Sequence, residues 1–155
     1  MNDQYHLGII PAHRSSQSLH YDYLFDEQMH LYCARNHPLF NHEDQSLDWP
    51  NIRQHALAGL GYHSPNMQMS HRSNLPRQAS ASDQEGVALL VLSGRFLGFL
   101  PTHYARPFEQ EGLIRAINPA RFFYQVQFFS IIRKSPIAAR STQLFQQCLI
   151  QAHKS

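Results

Sequence analysis

The chain has no apolar run approaching the ~20 residues needed to cross a bilayer, and its mean hydropathy is −0.43. A membrane protein is therefore not expected. The opening stretch Met1-Asn-Asp-Gln-Tyr-His6 is polar and carries an acid, unlike a secretory signal, so a cytoplasmic location is expected. Cysteine is scarce, with only Cys33 and Cys148, far apart and forming no CxxC. In the cytosol such residues read as free, buried thiols rather than a disulfide. Lysine is scarcer than arginine, and the arginines are scattered, with only Arg133 and Lys134 adjacent. The net charge is just +2. A nucleic-acid surface clusters its charge on one helix or face, so direct DNA contact by this chain is not expected.

Several kinds of site are missing too. The 11 histidines form no HxH, HxxxH or HExxH, and a metal needs three or four convergent ligands. No metal and no cofactor are expected. Neither GxGxxG nor a P-loop with its lysine is present to cradle phosphate. Gly61-Tyr-His-Ser-Pro65 begins like a nucleophile elbow, but Pro65 stands where the sharp turn needs glycine. A small hydrolase using Ser64 and His63 is thus a weak rival, and no catalytic residue is assigned.

What is present is an α/β pattern over 155 residues, 43% of them hydrophobic, enough for one domain or one lobe with pieces of another. Residues 80–101 organise the chain. Ser82 and Glu85 have capping-box spacing, and Val87, Leu90 and Val91 form a helical stripe. Gly94 suits the left-handed C′ position. Phe96 to Leu100 is a short apolar strand closed by Pro101, and a capped helix feeding such a strand is a βαβ signature. Buried strands are expected at 6–10, 27–34, 55–61 and 112–117, with an edge strand at 75–81. Residues 19–25 read as an extended connection, 102–107 as a helical turn stopped by Pro107, and 122–132 as a long aromatic strand. Short helices are expected from Asp48 and around 67–71, and a last helix from Ser135-Pro136, its stripe being Ile137, Leu144, Phe145, Cys148 and Leu149. Open α/β sheets bind ligands beyond the carboxyl ends of their strands. The loops at 10–13, 59–67 and 99–103 are the candidates, although from the residues alone they are equally readable as ordinary surface loops.

In order along the chain, five segments resemble the effector-binding domain of LysR-type transcriptional regulators. They are His6-Leu-Gly-Ile-Ile10, then Phe25 through the run Glu27-Gln-Met-His-Leu-Tyr-Cys-Ala34 to His37-Pro-Leu39, then Ser46-Leu-Asp-Trp49, the 80–101 segment, and Gly112-Leu-Ile-Arg-Ala-Ile117. His6 replaces the acid usual in the first. The resemblance implies a type 2 periplasmic-binding-protein-like fold: one complete lobe plus fragments of a second, joined by two crossover strands at 29–34 and 128–132. Residues 1–28 and 133–155 would be the partial first lobe, and 29–132 the second, effector-binding lobe. The family's helix-turn-helix head has no counterpart here, so DNA would be reached only through an N-terminal domain outside these residues.

The resemblance further places a small-molecule effector against Pro11, Ala12 and His13, and against Gly61, Tyr62, His63, Ser64, Pro65 and Met67. His13 and Arg14 hint at an anion, since the family often senses small carboxylates. Subunit contacts would map to Asn66, Met69, Ser70, Arg72, Ser73, Arg77 and Ala79, giving a homodimer or homotetramer in the full-length regulator. The expected function is ligand-dependent control of transcription through subunit geometry. A solute-binding protein of the same fold, or a remnant without DNA binding, is the alternative.

Overall fold

A computed structural model describes residues 6–11, 15–61, 75 and 77–153. The chain divides into two compact units, one of residues 1–27 with 126–155 and the other of residues 28–125. It passes from one to the other inside two long strands, β2 (Leu19–Ala34) and β7 (Phe123–Arg133).

The larger unit, 28–125, is an α/β layer. Its strands are the end of β2, then β3 (Leu57–Leu60), β4 (Arg77–Ala81), β5 (Leu97–Pro101) and β6 (Ile114–Ala116). They lie in the order β6-β2-β5-β3-β4. β3 is parallel to β4 and β5, whereas β2 runs antiparallel to β5 (Met29 opposite Pro101) and to β6 (Tyr32 opposite Ala116). All five residues of β5 are buried, as expected of a strand covered on both faces. β4 lies at the edge, where its proline-bounded sequence predicts it.

The segment 80–101 forms the expected helix–strand unit, with one correction to the cap. Helix α2 (Gln84–Leu92) follows α1 (Trp49–Ile52), and its N-cap is Asp83, not Ser82. The Asp83 Oδ1 accepts from the Gly86 amide at 2.8 Å, while the Ser82 hydroxyl donates to Asp83 at 3.2 Å. A carboxylate next to an orphan amide forms a charge-assisted bond that the serine cannot match. Gly94 takes the C′ position with φ +78°, as its spacing predicts. Gly98 allows α2 to approach β5, since a Cβ there would lie 2.6 Å from Val91 Cγ2. The core joins Tyr32, Ala58, Val87, Val91 and Leu100 to Ala105 and Ile114.

Helix α3 (Thr102–Gln110) continues through Pro107 rather than stopping there. Proline removes one backbone donor, but the burial of Ala105 and the edge contact of Tyr104 with Phe108 (5.9 Å) hold the turns together. Helix α1 is capped by Asp48, which exchanges hydrogen bonds with Asn51 at 2.9 and 3.0 Å. The loop before it is tied down by Arg115, whose guanidinium reaches Asp44 at 2.6 Å and the carbonyls of Leu39 and His42 at 2.8 and 2.7 Å. Beside this loop His37 Nδ1 accepts from the Leu39 amide at 3.1 Å, and the His37 ring lies 5.0 Å from that of His55.

In the smaller unit, β1 (Leu7–Pro11) pairs antiparallel with β7, which in turn neighbours the first half of β2. Three expectations are corrected here. β1 is not a buried strand, since none of its residues is fully buried. Residues 19–25 are strand rather than connection, because β2 runs unbroken for 16 residues. The last helix, α4 (Arg140–Ala152), begins later than Ser135-Pro136. Its expected stripe does not form a core: Ile137, Leu144 and Phe145 are exposed, Cys148 is an exposed free thiol, and Gln146 is the residue that is buried. Gln146 Nε2 donates to Asp22 at 2.7 Å and to Ser130 at 3.2 Å, and these bonds fix which face of α4 turns inward. Phe25 stacks between Phe128 and His153, at 5.1 and 5.0 Å.

Candidate functional site

Pro11 closes β1 opposite Phe128 in the smaller unit. Gly61 leaves β3 in the larger unit, its amide donating to Ala81 O at 2.9 Å. This bond links the end of β3 to the end of β4, so the loop that begins at Gly61 springs from the carboxyl edge of a parallel pair. Arg77 and Ala79 lie on β4. The Arg77 guanidinium donates to Leu60 O at 2.6 Å, and Ala79 stands opposite Ala58 against the core. Ala12, His13, Arg14, Tyr62, His63, Ser64, Pro65, Asn66, Met67, Met69, Ser70, Arg72 and Ser73 lie outside the described residues.

A cavity of about 490 Å³ lies within the larger unit, lined by His30, Tyr32, Thr102, His103, Arg106, Glu109, Ala116 and Pro119; Thr102 and His103 belong to the candidate loop 99–103, and the other lining residues were not expected. His30 and Tyr32 are two residues apart on one face of β2. Thr102, Arg106 and Glu109 follow helical spacing along α3. The signal was the polar stripe on α3, which is invisible once residues 102–107 are read as an isolated turn.

The electrostatics of this cavity are uneven. The Tyr32 hydroxyl is held well above the usual phenol range, by burial first and then by the charge of Glu109. Burial lowers the His30 imidazole, and Glu109 opposes that shift. His30 Nε2 is shielded from solvent and has no hydrogen-bond partner among the described residues. No group of three or more metal-ligating side chains forms among the described residues. No helix there is long and apolar enough to cross a membrane.

Comparison with known proteins decides the family. The model of the LysR substrate binding domain matches residues 1–154. The chain belongs to that family. A 129-residue stretch is 35% identical to the HTH-type transcriptional activator BauR of Pseudomonas aeruginosa, covering 83% of this chain and 42% of that protein. The LysR-family chain therefore spans less than half the length of this curated relative. Among solved structures, the regulatory domain of CcmR from Synechocystis, in complex with 2-PG, superposes with a TM-score of 0.77 at 14% identity, covering 99% of this chain and 76% of that one. The regulatory domain of MetR from Neisseria meningitidis gives 0.69 at 17% identity, covering 96% and 71%. The fold is that of the LysR regulatory domains, type 2 periplasmic-binding-protein-like.

Proposed function

We propose that this chain is the effector-sensing part of a LysR-type transcriptional regulator. The observation that carries the reading is the family match over residues 1–154, reinforced by the similarity to an HTH-type activator. The larger unit would supply most of the effector-binding lobe, with residues 1–28 and 133–155 contributing part of the other lobe. The effector is a small molecule, with a small carboxylate as the class that His13 and Arg14 favour. It would be held by Pro11, Ala12 and His13 and by the loop from Gly61 through Tyr62, His63, Ser64, Pro65 and Met67.

Gly61 supports this placement, because it opens its loop at the carboxyl end of β3, where open α/β sheets gather ligand contacts. Binding there would shift the population between lobe arrangements and alter how subunits pack. Asn66, Met69, Ser70, Arg72, Ser73, Arg77 and Ala79 are the proposed contacts of a homodimer or homotetramer. DNA would be met by a helix-turn-helix domain elsewhere in the regulator, in the cytoplasm, and the chain itself would perform no catalysis.

The test is a thermal-shift screen of the longer regulator against a library of small metabolites. A stabilising compound whose effect is lost on Tyr62→Ala or Met67→Ala is the expected result, since a ligand at ~100-fold its Kd adds about 2.7 kcal/mol. The absence of any stabilising compound would remove the sensor role.

A further inference from the structure

The connection from β2 to α1 begins at a histidine that works as a hydrogen-bond acceptor. His37 is the N-cap of the 3₁₀ turn Pro38–Asn41, and its Nδ1 accepts from the Leu39 amide at 3.1 Å. We propose that His37 is an acid-sensitive latch: the turn stays closed only while Nδ1 carries no proton, and protonation releases residues 37–42 ahead of the rest of the larger unit.

The kind of cap is the first reason. Ser, Thr, Asp and Asn cap with an oxygen, which remains an acceptor near neutral pH. An imidazole accepts through Nδ1 only in its neutral form with the proton on Nε2, and in the imidazolium both nitrogens donate. A proton on Nδ1 would meet the Leu39 N–H donor to donor, so the bond would be lost rather than weakened. Burial is the second reason. His37 and Leu39 are each 4% exposed, so an imidazolium in place would be a charge taken out of water, which is costly unless it is paired.

The surroundings supply cations instead of a partner. His55, from the segment after α1, places its ring 5.0 Å from that of His37, and the charge acting on His55 is that of His42 on the turn itself. Arg115 of β6 holds the carbonyls of Leu39 and His42, and Arg53 at the end of α1 is exposed. The carboxylates of these elements are engaged or exposed: Asp44 pairs with Arg115 at 2.6 Å, Asp48 caps α1, and Glu43 is exposed. Burial, then His55, lowers the His37 pKa to about 4 from the usual 6.5, a value the ring regains once it is released into water. The opening equilibrium therefore rises about tenfold per pH unit as pH falls through this window. Release is local because one short turn has little cohesion of its own, whereas β2, β5 and β3 are bonded to one another elsewhere. The open form uncovers Leu39.

The test is an NMR titration of the ¹⁵N-labelled 155-residue chain from pH 7.5 to pH 4, followed amide by amide. The amides of residues 39–42 should shift or broaden together at one midpoint, while those of Val91 on α2 and Leu97 on β5 keep their positions. At pH 7 the long-range ¹H–¹⁵N spectrum of the His37 ring should show its proton on Nε2, a readout that depends on no variant. His37→Asn supplies an oxygen cap that does not titrate, so the shared midpoint should disappear. The proposal is overturned by a ring proton on Nδ1 at pH 7, or by amides of 39–42 that stay unmoved down to pH 4. It is equally overturned by loss of the Val91 and Leu97 signals at the same midpoint, which is global unfolding, or by a transition that persists unchanged in His37→Asn.

Discussion

The two units handle apolar surface in opposite ways. In residues 28–125 more than half of the large apolar side chains of the described part are buried, from Leu31 and Tyr32 on β2 through Val91 on α2 to Leu97 and Leu100 on β5, and Leu89, Leu113 and Phe123 are the exposed exceptions there. Among the described residues of the other unit only Leu24, Val126 and Ile131 are buried apolar residues, while Ile9, Tyr23, Ile137, Leu144 and Phe145 are exposed. The larger unit has strands covered on both faces and a helix docked so closely that only glycine fits at position 98. The smaller one has three neighbouring strands and a helix held by a buried glutamine. A layered α/β unit excludes water from its own interior. A strand set with one thin cover leaves apolar surface that further chain, in the proposed regulator, would have to shield.

The most forceful way to test this contrast is to delete equivalent apolar volume from each unit. Leu97 is fully buried, so Leu97→Ala should cost roughly 2–5 kcal/mol. Ile9 is 47% exposed, so Ile9→Ala should change stability by no more than about 0.5 kcal/mol. Urea unfolding followed by circular dichroism measures both. Similar losses for the two substitutions would mean that the smaller unit has a core after all.

The same contrast explains what could be read from the chain beforehand. In the larger unit local signals agree with burial: the apolar run 96–100 became the wholly buried β5, Gly94 took its left-handed turn, and Asp48 capped α1. Where two acceptors competed, the reading slipped by one residue, choosing Ser82 over Asp83. In the smaller unit apolar spacing misled, because a stripe buries itself only if something lies opposite it. Leu144 and Phe145 carry the pattern of a core helix, but Gln146, bonded to Asp22 and Ser130, set the helix rotation. The cavity was legible only in Thr102 and His103 of the 99–103 loop, for another reason. Its polar residues come from elements separated by some seventy positions, and their convergence depends on the antiparallel pairing of β2 with β5 and β6.

A second test uses pH and should act on the larger unit. Burial, then the positive potential of His55, lowers the His37 pKa to about 4, and burial also lowers His55. A base whose folded pKa is depressed binds protons more readily when unfolded. Its contribution is therefore complete above the unfolded value near 6.5 and is lost as pH falls towards 4. Over that window stability should drop by up to roughly 3 kcal/mol, at a slope of about 1.4 kcal/mol per pH unit for one such group. Denaturation midpoints at pH 7 and pH 5 would show it, and NMR titration of the His37 ring would assign it. A flat profile would mean that the imidazole is not protected as its buried bond to Leu39 requires.

A smaller effect separates α2 of the larger unit from α4 of the smaller one. Asp83 bonds the Gly86 amide at the start of α2, whereas α4 has no side-chain cap at Ala139. Asp83→Ala should cost about 1 kcal/mol. Ala139→Ser should stabilise α4 by several tenths of a kcal/mol, since it supplies the missing acceptor. Thermal unfolding of the two variants checks the sign of each, and opposite signs are required.

The smallest effect is expected on the exposed face of α4, and it distinguishes the chain by itself from the proposed longer regulator. Phe145 is 56% exposed and Leu144 51% exposed. Phe145→Ser removes no enclosed contact in the 155-residue chain, so its stability should move by less than about 0.5 kcal/mol. Solubility should rise, because an apolar patch of this kind drives association. If the additional first-lobe segment of the proposed regulator covers α4, the same substitution there becomes a core deletion, costing on the order of 3 kcal/mol. Measuring Phe145→Ser in both contexts turns a neutral surface change into a probe of coverage. An equally small effect in the longer regulator would show that α4 stays bare, and that what encloses the smaller unit lies on another face.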